Sequence, residues 1–269
     1  MTVLEMVLVC LAGMGAGIIN TIVGSGTLIT FPTLIAFGVP PVTATMSNAI
    51  GLIPGGLTGS IGYRRELAGQ KRRLIALAPA SLVGALTGAY LLLHLPEDAF
   101  VTIVPVLLVL ALTLVVVQPM LQRRLAARRE IAARTNPPPT YADGTPRLSR
   151  GHVVAAIGST YACGVYGGYF AAAQGILLIG TLGVIVPDSL QRLNATKNVL
   201  SLVVNLVAGL TYTIVGWDRI DWVAVGLIAA GSLCGGALGA RVGRTLHPVV
   251  LRCCIVALGV VAIYNLVRL

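Results

Sequence analysis

The strongest constraint on this chain is its series of long apolar runs. About ten follow one another, roughly at 3–23, 26–38, 42–62, 74–94, 99–120, 151–170, 175–186, 193–215, 222–243 and 249–267. They are continuous rather than alternating, so an outer-membrane barrel does not fit. Helices are then the way to satisfy every backbone N–H and C=O group in lipid. Composition agrees: 56% of the 269 residues are hydrophobic and 10% are charged, against about 25% charged in globular domains. The expected fold class is an all-α membrane protein.

A helical span needs about 20 residues. The segments at 26–38 and 175–186 are too short, so each is expected to be a half-helix paired with the segment before it. The first of these pairs contains "NTIVGSGTLITFPTL" (Asn20–Leu34), where Gly24 and Gly26 interrupt the apolar run. The second contains "YGGYFAAAQG" (Tyr166–Gly175). A half-helix N-terminus leaves unpaired N–H groups and a partial positive charge, which suits an anion. A short loop at the membrane surface is the plainer reading of both breaks.

Charge placement sets an expected topology. Arg64, Arg65, Lys71, Arg72 and Arg73 fill one loop, and Arg123, Arg124, Arg128, Arg129, Arg134, Arg147 and Arg150 fill the central connection. The acidic stretch His94–Asp98 lies between them. With basic loops inside, both termini come out external, and only Arg219 and Arg268 of the basic residues lie away from the cytoplasmic side. The net charge of +10 is thereby explained by topology and anionic lipid, with no nucleic-acid partner. The stretch Thr135–Arg147, with three consecutive prolines, reads as an irregular connector. The expected division is a first repeat at 1–120, a cytoplasmic basic connector at 121–149 and a second repeat at 150–269. All five cysteines sit in apolar runs without metal-ligand spacing, which predicts free thiols.

The two halves match weakly but in register. Ser47–Gly59 aligns with Lys197–Gly209, placing Asn48 opposite Asn198, and Ser81–Ala89 aligns with Ser232–Ala240. Both offsets are about 150 residues. Five segments per half is an odd number, so the second half enters the membrane in the opposite sense. This predicts two inverted five-segment repeats, the plan of many secondary transporters. Glycines at four-residue spacing (Gly13/Gly17, Gly84/Gly88, Gly164/Gly168, Gly231/Gly235/Gly239/Gly243) predict close helix contacts.

One helix carries a polar stripe. Asn194, Asn198, Ser201 and Asn205 fall at i, i+4, i+7 and i+11, and Lys197 borders them. An ionisable residue within a span is a functional candidate by default; snorkelling to lipid phosphate is the alternative. The acidic residues all lie near segment ends or loops, so a cation transporter is disfavoured and an anion substrate fits. HExxH, GxSxG and P-loop motifs are absent from the sequence, so an enzyme is not expected.

Two pairs of stretches carry a family resemblance. "GAGIINTIVGSGTLITFPTLIAFGVPP" with "SNAIGLIPGGLTGSIGYRREL" resembles the first repeat of the TauE/SafE sulfite and organosulfonate exporters, and "GVYGGYFAAAQGILLIGTLG" with "QRLNATKNVLSLVVNLVAGLTY" resembles the second. Ser25, Ala171 and Ala173 stand where that family commonly has glycine. The resemblance implies a bacterial-type inner-membrane permease exporting a small sulfur-containing oxyanion by alternating access. An anion channel and a non-transporting membrane assembly partner are the alternatives. The expected substrate-binding residues are Asn20, Gly24, Ser25, Gly26, Thr27, Asn48, Tyr166, Gln174, Gly175, Asn194, Lys197 and Asn198. The amides of Gly24–Thr27 and Gln174–Ile176 would hold the anion and Lys197 would supply charge. No cofactor or metal is expected. The expected partners are the anionic substrate, membrane lipid and, as an open option, a second copy of the chain; the coupling ion is open between proton, sodium and none.

Overall fold

The computed structural model describes residues 1–135 and 148–242. Among these residues every regular element is helical: α1 (Val3–Ile22), α2 (Thr27–Ala36), α3 (Pro41–Gly51), α4 (Ile53–Gly62), α5 (Arg64–Leu67), α6 (Lys71–His94), α7 (Glu97–Thr135), α8 (Arg150–Tyr169), α9 (Gln174–Ile185), α10 (Leu190–Val215) and α11 (Trp222–Val242). Among the described residues five helices are long and apolar enough to cross a membrane: α1, α6, the Thr102–Arg124 part of α7, α10 and α11. At 10 and 12 residues, α2 and α9 are the short apolar helices that sequence spacing predicts. The tenth apolar run, 249–267, lies outside the described residues, as do Gly243, Cys253 and Cys254.

Two elements differ from expectation. The run at 42–62 is broken into α3 and α4 at Leu52, with Pro54 in the first turn of α4. Proline lacks an N–H, so it suits a first turn and interrupts a continuous helix. The hydroxyl of Ser232 donates to the Gly51 carbonyl at 2.8 Å, covering backbone beside that break. The second difference is α7, which continues helical through 121–135, the first part of the expected basic connector, and reaches 39 residues; the irregular stretch expected over 135–147 lies, beyond Thr135, outside the described residues. At 1.5 Å per residue it is about 58 Å long, well beyond the roughly 30 Å hydrocarbon core.

Glycine contacts set the packing. α1 lies along α11 and α8 lies along α6. A Cβ on Gly13 would stand 2.9 Å from the Ile228 Cα, and one on Gly17 would stand 2.9 Å from the Ser232 Cα. In the other pair, a Cβ on Gly168 would meet the Ala85 Cα at 2.9 Å, and one on Gly164 would meet the Ser81 carbonyl oxygen at 2.9 Å. Helix backbones approach this closely only where side chains are absent. α10 crosses the middle, touching α3, α4, α6, α8 and α9.

Polarity runs opposite to that of a water-soluble domain. Leu4 is 69% exposed and Ile214 80%, whereas Asn48 and Lys197 are fully buried. A surface of large apolar side chains is suited to lipid, and the buried polar groups must find partners within the bundle.

A polar network joins the loop before α6 to the loop before α10. Arg73 pairs with Asp188 at 2.7 Å, and Arg192 pairs with the same carboxylate at 3.1 Å. Fully buried Gln70 accepts from the Thr196 hydroxyl at 2.7 Å and donates to the Arg192 carbonyl at 3.0 Å. Arg192 also donates to the Ala68 carbonyl at 3.1 Å. Residues more than a hundred positions apart are thereby fixed at one end of the bundle.

Candidate functional site: the crossing of two broken helices

The first break is closed by backbone geometry. The N–H groups of Val23 and Gly24 both return to the Ile19 carbonyl, at 2.7 and 3.0 Å, and Gly24 turns left-handed with φ +90°. The second break repeats the pattern. Phe170 and Ala171 both donate to the Tyr166 carbonyl, at 2.9 and 3.2 Å, and Ala171 has φ +63°. Ala173, at the start of α9, also lies in the left-handed region at φ +58°. Left-handed alanines are sterically disfavoured where glycine is not. Two of the three positions noted from sequence, Ala171 and Ala173, thus fall where the turn demands the left-handed conformation.

The breaks touch each other. The Gly175 N–H donates to the Gly24 carbonyl at 3.0 Å. A Cβ on either glycine would stand 2.5 Å from the Cα of the other, so only glycines fit at this crossing. Phe31 of α2 and Phe170 pack edge to face beside it, with centroids 5.2 Å apart.

α10 supplies the polar side chains. The predicted stripe is buried: Asn194 is 8% exposed, Asn198 5%, Ser201 7% and Asn205 4%. Lys197 is 0% exposed, which overturns the snorkelling alternative. Its Nζ donates to the Asn20 carbonyl at 2.8 Å and to the Thr21 carbonyl at 3.4 Å. The Nδ2 groups of Asn194 and Asn198 also donate to the Thr21 carbonyl, at 3.2 and 3.3 Å. These are last-turn carbonyls of α1, orphaned by the break and carrying the negative end of the helix dipole. Among the described residues no carboxylate pairs with Lys197.

Asn48 meets α2 instead. Its Nδ2 donates to the Thr27 hydroxyl at 3.0 Å, and its Oδ1 accepts from the Thr30 hydroxyl. Thr30 was missed from sequence; its i+3 spacing from Thr27, facing one amide, was the available signal. Thr21 was missed because it contributes through its backbone oxygen, which no side-chain pattern reveals.

Several polar atoms remain open. Among the described residues the buried Ser25 Oγ, Gln174 Nε2, Tyr166 hydroxyl, Asn194 Oδ1 and Ser201 Oγ have no hydrogen-bond partner. Buried polar atoms are ordinarily paired, so a cluster of exceptions calls for water or a ligand. Ser25 and Gln174 flank the Gly24–Gly175 contact in the chain. Among the described residues no hydrogen bond reaches the amides of Ser25, Gly26 or Thr27. The second break differs from expectation: Gln174, Gly175 and Ile176 donate to the carbonyls of Ala171, Gly24 and Ala173. Its amides are spent within the protein. A cavity of about 380 Å³ is lined by Ile22, Tyr63, Gln122, Ile179, Gln191 and Asn194, and so reaches one end of the polar stripe. Among the described residues no three His, Cys, Asp or Glu side chains cluster to hold a metal.

A family model described as "Sulfite exporter TauE/SafE" matches residues 9–266. The chain belongs to the TauE/SafE family. This TauE/SafE chain is 25% identical over 228 residues to the probable membrane transporter protein YfcA of Escherichia coli strain K12, covering 84% of the chain and 76% of that relative. A probable membrane transporter protein of Haemophilus influenzae is 23% identical over 240 residues, covering 89% and 86%. A probable membrane transporter protein ORF9 of Sinorhizobium sp is 31% identical over 94 residues, 35% of this chain and 36% of that one. No solved structure matches. Family, relatives and apolar helices together make the chain a multi-pass membrane transporter.

Proposed function

We propose that this TauE/SafE chain is a secondary transporter that exports a small sulfur-containing oxyanion, sulfite or an organosulfonate, across a bacterial-type plasma membrane. The observation that carries this reading is the crossing of the two breaks, where a buried lysine with no carboxylate partner among the described residues passes against Gly24 and Gly175, whose chain neighbours Ser25 and Gln174 carry unpartnered buried polar atoms. Such a site favours a small anion and disfavours a cation. Open amides at Ser25, Gly26 and Thr27 bind anion oxygens, as helix N-termini do. Lys197 acts through its charge, while Asn20 and Thr21 anchor its ammonium; Asn194 and Asn198 fix the same α1 end, and Asn48 fixes α2.

Alternating access of two inverted repeats, 1–120 and 150–269, supplies the movement. The pairing of α1 with α11 and of α8 with α6 supports the repeat, because each is the first helix of one half on the fourth of the other. So do the matching five-residue returns to Ile19 and Tyr166. In this reading the basic loops and the connector are cytoplasmic and both termini external. An inside-negative potential drives anion exit by about 2.3 kcal/mol per charge per 100 mV.

The test is efflux of radiolabelled sulfite and of a small sulfonate from proteoliposomes. Saturable flux is expected, with at least a tenfold loss in Lys197→Ala at equal reconstitution. Undiminished flux in that variant would sink the assignment of Lys197, and flux that never saturates would point to a channel.

A further inference from the structure

Lys197 occupies a place that in other secondary transporters suits a free metal cation. Unwound backbone carbonyls and half-helix C-terminal ends coordinate the coupling sodium or proton in such folds. Here the C-terminal carbonyls of α1 face the core, and the Lys197 ammonium sits on two of them, 2.8 Å from Asn20 and 3.4 Å from Thr21. Asn194 Oδ1 and Ser25 Oγ are buried and unpartnered among the described residues, and neither accepts from the ammonium. Helix-end carbonyls of this kind can hold an alkali cation, and here the cation on them is covalently attached to α10.

The stem is held as well as the head. A Cβ on Gly175 would stand 2.7 Å from the Lys197 Cδ, and one on Gly24 would stand 3.1 Å from it. The methylene chain therefore passes against the crossing of the two breaks, which fixes where the ammonium lies. A second cation on the same carbonyls would sit within a few ångströms of Nζ and be repelled by it. With no carboxylate paired to it among the described residues, the ammonium also balances the charge of a bound monoanion.

We propose that the Lys197 ammonium is a tethered cation that replaces a free coupling ion, so that the anion moves without a bound sodium. This rests on the transporter reading above, and it predicts where alkali cations do not bind. It also predicts that removing the lysine opens a cation site: the carbonyls of Asn20 and Thr21 remain, now without a donor.

The test uses the full-length purified protein. Melting temperatures are measured for the wild type, Lys197→Gly and Lys197→Met in sodium, choline or methylammonium chloride at equal ionic strength. The wild type is expected to melt at the same temperature in sodium and in choline. Lys197→Gly is expected to melt lower and to recover by roughly 3 °C in methylammonium or sodium, while Lys197→Met, whose side chain fills the space, does not recover. Sodium stabilising the wild type over choline, or no cation response in Lys197→Gly, would overturn the proposal. Should Lys197→Gly fail to fold, anion efflux by the wild type in choline against sodium decides: equal rates support the tethered cation and a sodium requirement refutes it. Complete absence of anion flux defeats the transporter reading instead, and the wild-type melting comparison still judges the cation.

Discussion

Replacing the two glycines at the crossing, singly and together, probes the junction on which the site is built. A Cβ at Gly24 would lie 2.5 Å from the Gly175 Cα and 2.9 Å from its carbonyl carbon; one at Gly175 would lie 2.5 Å from the Gly24 Cα. Both obstacles are backbone, so the chains must part by about 1 Å, at an overpacking cost of about 1–3 kcal/mol. That movement also stretches the 3.0 Å bond from the Gly175 N–H to the Gly24 carbonyl, worth about 1 kcal/mol. Gly24→Ala carries an additional 1–2 kcal/mol, roughly, for its left-handed backbone. The expected losses are about 4 kcal/mol for Gly24→Ala and about 2 kcal/mol for Gly175→Ala. Once the chains have separated for one methyl, the second enters more cheaply, so the double variant should lose about 4.5 kcal/mol rather than the sum. Reversible unfolding in mixed detergent micelles measures all three. Additive losses, or single losses below about 0.5 kcal/mol, would show that the breaks do not interlock.

Three other perturbations follow from the geometry. Ala171→Gly and Ala173→Gly should each raise stability by about 1 kcal/mol in the same unfolding assay, because each relieves a left-handed alanine; a loss in both would contradict the assigned turn. Asp188→Asn leaves Arg73 and Arg192 facing each other without their shared carboxylate, and should lower stability by about 2 kcal/mol, read as a fall in melting temperature; an unchanged melt would make the network dispensable. Asn48→Ala strips the Thr27 and Thr30 hydroxyls of their buried partner and should cost about 2 kcal/mol, with protease sensitivity appearing first around α2 if that helix depends on the amide.

Where hydrophobicity decides structure, the sequence was legible. The runs at 3–23, 151–170 and 175–186 correspond to α1, α8 and α9 within a residue at each end. Hydropathy does not decide the end of α7. Residues 121–135 are polar, yet rich in Arg and Ala, which favour helix in water as well as in lipid, so the helix outruns its apolar part. The break at Leu52 was hidden because Pro54 is tolerated in a first turn and leaves the apolar run intact. Burial of Lys197 and the asparagine stripe followed from helical spacing, but their partners did not. The carbonyls of Asn20 and Thr21 carry no side-chain signature, and the Arg73–Asp188 pair spans 115 residues.

The same limit explains why the two breaks differ in what they offer an anion. Read from sequence they are equivalent, each a glycine-containing interruption before a short helix. In the structure, the contact that joins them makes them unequal. The Gly175 amide is consumed on the Gly24 carbonyl, and the Gln174 and Ile176 amides close the turn of α9 itself. Among the described residues, the first break keeps the amides of Ser25, Gly26 and Thr27 without a hydrogen bond, and at α9 only the Gln174 side-chain Nε2 is left unpartnered. In the proposed reading one break offers the backbone anion site, and the other holds that break in position. This asymmetry gives Ser25 consequence, because its buried, unpartnered hydroxyl is a free donor beside those amides. Ser25→Gly should therefore change anion preference before it changes stability, and competition among sulfite, sulfate and sulfonates for efflux measures that shift. An unaltered preference order would show that the hydroxyl does not meet the anion.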